Sequence, residues 1–196
     1  MNLLLADASR FVASLKQHPQ FLGQAIRACV PGLADFGLVY LVDHDALRCG
    51  ASAHTTAAGA RLLRTLNRIY KLRRNDRDST VAQVVRIGRP ALRKRIRREE
   101  TPGDPSAAPV FELHHRLGAH SALVVPIHGR DRVLGALALA YAESKRQYSR
   151  DDVPVAEHIA LQIGFAIDRE LLTTPRATPV FLARRRILPA RLRARA

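Results

Sequence analysis

The chain has 196 residues, of which 47% are hydrophobic, so it is long enough for one globular domain with its own apolar core. Aromatic residues make up only 5% and tryptophan is absent, which argues against a surface of aromatic platforms that stack single-stranded bases. The net charge of +15 is compatible with an anionic partner, either nucleic acid or an acidic protein.

The positive charge is concentrated in three stretches of the sequence. Residues 61–77, 86–98 and 176–195 carry seven Lys or Arg each. The chain has 28 arginines and four lysines, a bias that genome composition can produce as easily as function. Binding through these arginine-rich segments is therefore kept as an alternative function.

The cysteine content and the hydropathy pattern indicate a cytoplasmic protein. Cys29 and Cys49 are isolated in the sequence, so neither a zinc site nor a disulfide framework is indicated. No run approaches the roughly 20 apolar residues of a membrane span. Residues 1–9 contain Asp7 and no basic segment of the kind that begins a signal peptide.

Helical spacing of apolar residues predicts two helices at the start of the chain, at 3–15 and 19–30. Pro19 separates them, and Pro31 and Gly32 end the second. We expect residues 1–32 to form a helical region that is a possible dimerisation surface.

A β-hairpin follows. Residues 36–42 are a nearly continuous apolar run, typical of a strand covered on both faces, and residues 43–45 form a polar turn. Residues 47–53 alternate between apolar and other residues, which predicts a strand with one buried face. The residues expected on that face are Leu47, Cys49, Ala51 and Ala53.

The middle of the chain predicts mostly helix. Residues 57–72 have an apolar face opposite a basic one, which is typical of an amphipathic helix with a solvated surface. Thr80 and Gln83 have the spacing of a capping box at the start of a short buried helix. Three further predicted elements are an edge strand within 91–96, a surface loop at 99–109 and a helical turn at 111–117.

A second hairpin, over 121–127 and 132–141, has the strongest strand pattern. One face of its second strand is rich in alanine. Because small side chains allow a close approach, we expect the helix predicted at 151–171 to pack on this face. Residues 173–196 are expected to be a basic, disordered tail.

The order of these elements and several local motifs resemble the GAF domain family. Residues 117–127, LGAHSALVVPI, with Gly129 and the run VLGAL at 133–137, are similar to the family's S-x-L-x-V-P-L … G-x-x-x-G-x-L hairpin. The segment LADF at 33–36 resembles its first strand, and YSRDD at 148–152 resembles the start of its last helix.

The resemblance implies an α+β fold over residues 33–172. A central antiparallel sheet of five or six strands would carry the terminal helices on one face and a ligand pocket under a helix and loop layer on the other. Such domains sense a small molecule or mediate dimerisation, and they signal to a kinase, phosphatase, cyclase or regulator. The bilin-attachment, cyclic-nucleotide and methionine sulfoxide reductase motifs of the family are not found, so the ligand and any cofactor stay open.

Candidate ligand-binding residues are those expected to reach the pocket side of the sheet. They are Tyr40, Cys49, His54, Tyr70 and Ser121. A lone histidine such as His54 is more often a satisfied polar residue than a ligand. His114, His115, His120 and His128 invite a metal hypothesis, but no carboxylate or cysteine completes a cluster. No nucleophile elbow or phosphate loop occurs, so we expect no enzymatic activity.

The expected assembly is a homodimer that contacts a signalling partner protein. Residues 4–15 and 155–171 would form its interface, because leftover apolar edges on terminal helices can make a symmetric bundle. The alternative is that these stripes only cover the sheet. No membrane association is expected.

Overall fold

The structure, a computed structural model, describes residues 21–96 and 108–173, without the side chains at 108–111 and 170–173. The helices are α1 (Phe21–Cys29), α2 (Ala57–Ile69), α3 (Thr80–Ile87), α4 (Ala108–Leu117) and α5 (Val153–Thr173). The strands are β1 (Phe36–Asp43), β2 (Ala46–His54), β3 (Ala91–Arg93), β4 (Ser121–His128) and β5 (Val133–Tyr141). The helix predicted at 3–15, most of the 99–109 loop and the basic tail lie outside the described residues.

The five strands form one sheet in the order β2-β1-β5-β4-β3, and every neighbouring pair is antiparallel. This confirms the predicted α+β architecture. β2 and β3 are the edge strands. An isolated antiparallel bridge between Ala46 and Arg73 adds a short sixth element beside the start of β2.

Helices cover both faces of the sheet. α1 and α5 pack on one face, in an apolar core that includes Val39, Leu137 and Ile163. α2, α3 and α4 pack on the other, in a second core that includes Tyr40 and Leu66. Because successive side chains of a strand point to opposite faces, β1 and β5 contribute to both cores. None of the helices in the described part of the chain is long and apolar enough to cross a membrane.

The alanine face of β5 does not meet the last helix, so that prediction was wrong. Ala136 and Ala140 belong to the core that contains α3, whereas Leu137 and Leu139 lie in the core with α5. The close approach of α5 to the sheet occurs instead at Gly164, where a Cβ would lie 1.9 Å from the carbonyl oxygen of His128. A glycine in the helix, rather than alanines in the strand, provides the room.

The predicted buried face of β2 was also wrong, because the strand contains a bulge. Val39 pairs with Ala51 and Tyr40 pairs with Cys49, which leaves Gly50 as the extra residue. One extra residue changes which face the following side chains occupy. Cys49 therefore packs on the α2 side of the sheet, whereas Ala51 packs on the α1 side.

Side-chain caps fix the start of α3 and of the turn that leads into α5. Ser79 is the N-cap of α3 and its hydroxyl accepts the Ala82 N–H, so the cap lies one residue before the predicted position at Thr80. The 3₁₀ turn Arg150–Asp152 that leads into α5 has a full capping box between Ser149 and Asp152. Both caps satisfy backbone donors that a helix start leaves without partners.

A buried carboxylate joins the ends of three strands. Asp35 directly precedes β1, and its Oδ2 accepts the backbone N–H groups of Ala142 (2.7 Å) and Ser144 (2.9 Å), just after β5. Its own N–H donates to the Ala140 carbonyl, and its carbonyl accepts the Thr55 N–H just after β2. Burial by itself raises the pKa of Asp35, but these hydrogen bonds and the Arg146 charge outweigh it and lower the pKa.

Arg146 ties the same corner to the segment that follows α1. Its guanidinium donates to the carbonyls of Pro31 (2.6 Å) and Gly32 (2.8 Å) and lies 4.4 Å from the centre of the Tyr141 ring. Tyr148 stacks on Tyr141 at 4.2 Å and donates its hydroxyl to the Leu33 carbonyl. We call Asp35, Tyr141, Arg146 and Tyr148 the corner cluster.

Replacing Asp35 with Asn should destabilise the domain by about 2 to 3 kcal/mol at pH 7, because two buried N–H groups lose a charged acceptor. The folded-state pKa lies below the unfolded value of about 4, so this stability is present above pH 4 and is lost as pH falls through the folded-state pKa. The gap between wild type and D35N in urea unfolding should therefore narrow below pH 4. Asp131→Asn, at an exposed carboxyl, is the control, and a gap independent of pH would contradict the assignment.

Candidate functional site

A cleft of about 600 Å³ lies between the β1–β2 hairpin and the end of α2. Its walls are the hairpin turn with the first half of β2, the last turn of α2, and residues 70–73 that follow. It is on the face of the sheet opposite α1 and α5, which is where a pocket was predicted.

The chain closes one end of the cleft by returning beside β2. The Leu47 N–H donates to the Leu72 carbonyl, and the Arg74 N–H donates to the Asp45 carbonyl, both at 2.9 Å. These bonds pair the short segment after α2 with the start of the edge strand. The cleft wall is thus held by backbone geometry and not only by side chains.

The inner surface of the cleft is apolar and carries two phenols. Tyr40, Leu47 and Leu72 are buried there. Burial raises the pKa of Tyr40 and of Tyr70, and for Tyr70 the nearby Asp76 charge raises it further. Both phenols are therefore protonated at neutral pH, so each hydroxyl is a potential hydrogen-bond donor.

Cys49 and Asn67 lie close together in the lining of the cleft. Both line the main cleft and also a neighbouring depression of about 340 Å³ between β2 and α2. The Asn67 amide donates to the Ser52 hydroxyl at 3.4 Å, and the Cys49 thiol lies 3.3 Å from the Ala51 carbonyl oxygen. Asn67 provides both donor and acceptor capacity at a half-buried position.

The outer rim of the cleft is charged. Asp43 forms an ion pair with Arg48 across the hairpin, and the Lys71 ammonium donates to the Arg68 carbonyl at 3.0 Å. Arg73 is exposed beside them. The cleft thus has an apolar interior with a few polar groups and a charged mouth, which is the usual composition of a small-molecule site.

Three of the five candidate residues come together in this cleft, namely Tyr40, Cys49 and Tyr70. His54 lies outside its lining. The His54 ring is only 1% exposed, stacks on Phe36 at 5.5 Å, and accepts the Thr56 N–H at Nδ1. A Cβ on Gly59 would lie 2.1 Å from the ring, so His54 fixes the entry into α2 as a satisfied polar residue.

Ser121 also lies away from the cleft. It is fully buried at the start of β4, where its hydroxyl donates to the Arg93 carbonyl (3.2 Å) and accepts the Tyr148 N–H (3.0 Å). It joins the edge strand β3 to the corner cluster. Its role in the described contacts is structural.

Asn67 and the residues after α2 were missed from the sequence. Asn67 lies at helical spacing within the apolar stripe of α2, four residues after Leu63 and three before Tyr70. A polar residue inside an apolar stripe is a usable signal for a polar group on a buried face. The positions of Leu72 and Arg73 depend on the chain reversal beside β2, for which the sequence pattern gave no signal.

The histidines singled out for metal binding are dispersed. No group of three or more His, Cys, Asp or Glu that could hold a metal occurs in residues 21–96 and 108–173. His114 packs edge-on against Tyr70 at 5.9 Å, and desolvation there lowers its pKa. The His120 Nε2 lies 2.8 Å from the Arg146 carbonyl oxygen, where it can donate.

Comparison with known proteins identifies the fold family. The family model for the GAF domain matches residues 17–168. No curated protein sequence matches this chain. The residues matched by the family model make up more than three quarters of the chain.

Solved structures of low sequence identity share the fold. A GAF domain from a phosphoenolpyruvate-protein phosphotransferase of Coxiella burnetii has a TM-score of 0.65 at 16% identity, over 88% of this chain and 98% of that one. A free methionine-R-sulfoxide reductase from Neisseria meningitidis, in complex with its substrate, has 0.60 at 14%, over 87% and 89%. A domain of a two-component sensor histidine kinase protein from Sinorhizobium meliloti 1021 has 0.54 at 15%, over 79% and 92%.

Cys49 is the cysteine in the lining of the cleft, and its reactivity can be measured directly. Burial raises the pKa of the Cys49 thiol to about 12, so at pH 8 the cysteine is a thiol and not the reactive thiolate. We expect slow alkylation of Cys49 in the native protein and fast alkylation in urea, followed by mass spectrometry in a Cys29→Ala background. The reciprocal Cys49→Ala protein reports Cys29, whose pKa burial also raises to about 12. Rapid native labelling of Cys49 alone would indicate a thiol poised for chemistry.

Proposed function

The chain belongs to the GAF domain family, a family of signalling and sensory modules, and from that premise we propose that it is a non-catalytic sensor whose cleft binds a small molecule. We further propose that it works as a homodimer in the cytoplasm and passes its signal to a partner protein such as a kinase, phosphatase or regulator. The proposal concerns the cleft lined by Tyr40, Cys49, Asn67 and Tyr70.

The observation that supports ligand binding most strongly is the composition of this cleft. An apolar interior formed by Tyr40, Leu47 and Leu72 would exclude water from an apolar or aromatic body. The Asn67 amide and the Tyr70 hydroxyl would then orient polar groups of the ligand, since both residues are half-buried and uncharged. Recognition by a few polar groups within an apolar pocket is the normal arrangement for small-molecule sites.

The case against catalysis is chemical. Cys49 is the only cysteine that lines the cleft, and its high pKa keeps it a thiol. The carboxylates in the lining, Asp43 and Asp45, lie at the hairpin turn on the charged mouth, and Asp43 is paired with Arg48. The cleft therefore offers hydrogen bonds and apolar contact to a ligand but no activated nucleophile.

The named neighbours support a regulatory role without specifying the ligand. The domain from Sinorhizobium meliloti comes from a sensor histidine kinase protein, and the Coxiella burnetii domain comes from a phosphotransferase. By analogy, we propose that the present domain controls a phosphoryl-transfer partner or a regulator. The sequence-based alternative, an anionic macromolecule bound by the arginine-rich segments, stays a prediction.

Native mass spectrometry of protein purified from its own host tests the proposal. We expect wild-type protein to retain a bound small molecule as a defined excess mass. Asn67→Leu should lose this mass while remaining folded, because leucine keeps the volume but removes the amide that anchors the ligand.

Asn75→Leu is the matched control, since Asn75 is exposed and lies outside the cleft lining. It should retain the bound mass. Wild-type protein without any bound mass, and with an unchanged melting temperature across a library of nucleotides, amino acids and aromatic acids, would contradict ligand binding. Equal retention by both Asn variants would place the ligand elsewhere.

A further inference from the structure

The hydroxyl of Tyr40 is a buried polar group without a hydrogen-bond partner. The side chain is only 6% exposed, and it lines the cleft. No residue in the described part of the chain forms a hydrogen bond with this hydroxyl. Burial raises the pKa of Tyr40, and the neighbouring Cys49 and Tyr70 raise it further, so the phenol keeps its proton and can donate it to an acceptor in the cleft.

The position of Tyr40 sets a condition on any molecule that fills the cleft. A buried phenol normally bonds within the protein, as Tyr148 does when its hydroxyl donates to the Leu33 carbonyl at 2.8 Å. The Tyr40 hydroxyl has only the contents of the cleft to bond with. A ligand that displaces solvent without offering an acceptor leaves this donor unsatisfied and loses about tenfold in affinity.

The inner part of the cleft provides hydrogen-bond donors but no charge. Tyr40 and Tyr70 offer phenol hydroxyls, and Asn67 offers an amide. Cys49 is a thiol at neutral pH, because burial raises its pKa to about 12. A carboxylate at this depth would be desolvated without a cation beside it, which is unfavourable. The inner end of the ligand is therefore an uncharged acceptor, such as a carbonyl oxygen.

The mouth of the cleft has a surplus of positive charge. Arg48 is paired with Asp43, so these two charges compensate each other. Lys71 and Arg73 are exposed in the lining, and neither forms an ion pair with a carboxylate of the described residues. Asp45 is the remaining acid among the lining residues. The surplus of one positive charge matches a singly charged carboxylate better than a phosphate, which carries nearly two negative charges.

We propose that the cleft takes a small carboxylic acid with an apolar body and a carbonyl group at its far end, and that the Tyr40 hydroxyl selects the carbonyl by donating a hydrogen bond to it. The carboxylate lies at the mouth, near Lys71 and Arg73. This inference rests on the proposed ligand binding in the cleft and names the chemical class of the ligand. Its test is designed so that the two proposals fail separately.

Pairs of acids that differ only in the acceptor test the class. The full chain is titrated with para-acetylbenzoate and with the longer acetyl biphenyl carboxylate, and binding is followed by amide chemical shifts. At least one of them should bind with a dissociation constant below about 1 mM, which is ordinary for ligands of this size. The isopropyl analogues keep the shape and the charge but lack the carbonyl, and they should bind about tenfold more weakly.

Tyr40→Phe removes the hydroxyl and keeps the ring. It should weaken binding of the acetyl acid about tenfold and leave the isopropyl acid unchanged, so that the preference for a carbonyl disappears. The melting temperature should not fall, because the hydroxyl has no partner within the described protein. Tyr141→Phe is the matched control, since it removes a buried phenol hydroxyl that lies outside the cleft lining. It should retain the preference.

Charge variants test the placement of the carboxylate. Lys71→Gln and Arg73→Gln should each weaken the acetyl acid by about twofold to fivefold and reduce the effect of salt on binding. Arg61→Gln removes an exposed positive charge on α2 away from the cleft lining, and it should leave the affinity unchanged.

The outcomes separate this inference from ligand binding as such. Equal affinity for the acetyl and isopropyl acids, or a preference that survives in Tyr40→Phe, overturns the selection by Tyr40 and leaves the sensor proposal standing. If no acid binds below about 1 mM, the proposed class is wrong, and the mass retained by wild-type protein from its own host decides separately whether the cleft binds a ligand. If Tyr40→Phe melts at a lower temperature, the pair of acids on wild-type protein still decides the class.

Discussion

The buried carboxylate of Asp35 is the constraint on which the arrangement of the sheet depends. A charged group can be buried only if its lone pairs are satisfied, and here two backbone N–H groups after β5 and the Arg146 guanidinium supply that compensation. The backbone of the same residue bonds to β5 and to the segment after β2. Asp35 therefore sets where β1 starts relative to both of its neighbours, and the hairpin that walls the cleft begins from that point.

The cleft itself follows from an irregularity in the edge strand. Before the bulge at Gly50, Leu47 and Cys49 pack on the α2 side, and after it Ala51 and Ala53 pack on the α1 side. With Ala51 and Ala53 on the other face, the edge strand meets α2 beyond Cys49 only through small residues such as Ser52, and the depression lined by Cys49 and Asn67 lies there. Residues 72–74, where the chain returns beside β2, close the other end of the cleft by pairing with the start of that strand.

Structural elements that depend on local periodicity were predicted correctly from the sequence. The predictions failed where a single residue changes the periodic pattern. The order of strands and helices along the chain and the edge position of β3 follow from alternation, helical spacing and the charges of the edge strand, and the structure contains them. The change of face in β2 depends on Gly50 alone. A glycine within a strand is a signal of a bulge, but the apolar alternation over residues 47–53 predicted a regular strand. In the sequence, His54 and Ser121 look like pocket residues. Their positions depend instead on contacts that only the folded chain brings together. The His54 ring stacks on Phe36, and the Ser121 hydroxyl bonds to Arg93 and Tyr148.

The sheet physically connects the cleft to the core on its other face. Tyr40 lies against the cleft, and its neighbour Val39 points into the opposite core and pairs with Leu137 of β5. Leu137 in turn shares that core with Ile163 of α5. Because protein interiors are packed as densely as organic crystals, a ligand that displaced Tyr40 would have to move β1 and, with it, the support of α5. A single-layer sheet with the cleft on one face and α5 on the other is therefore suited to transmit a change in the cleft to α5.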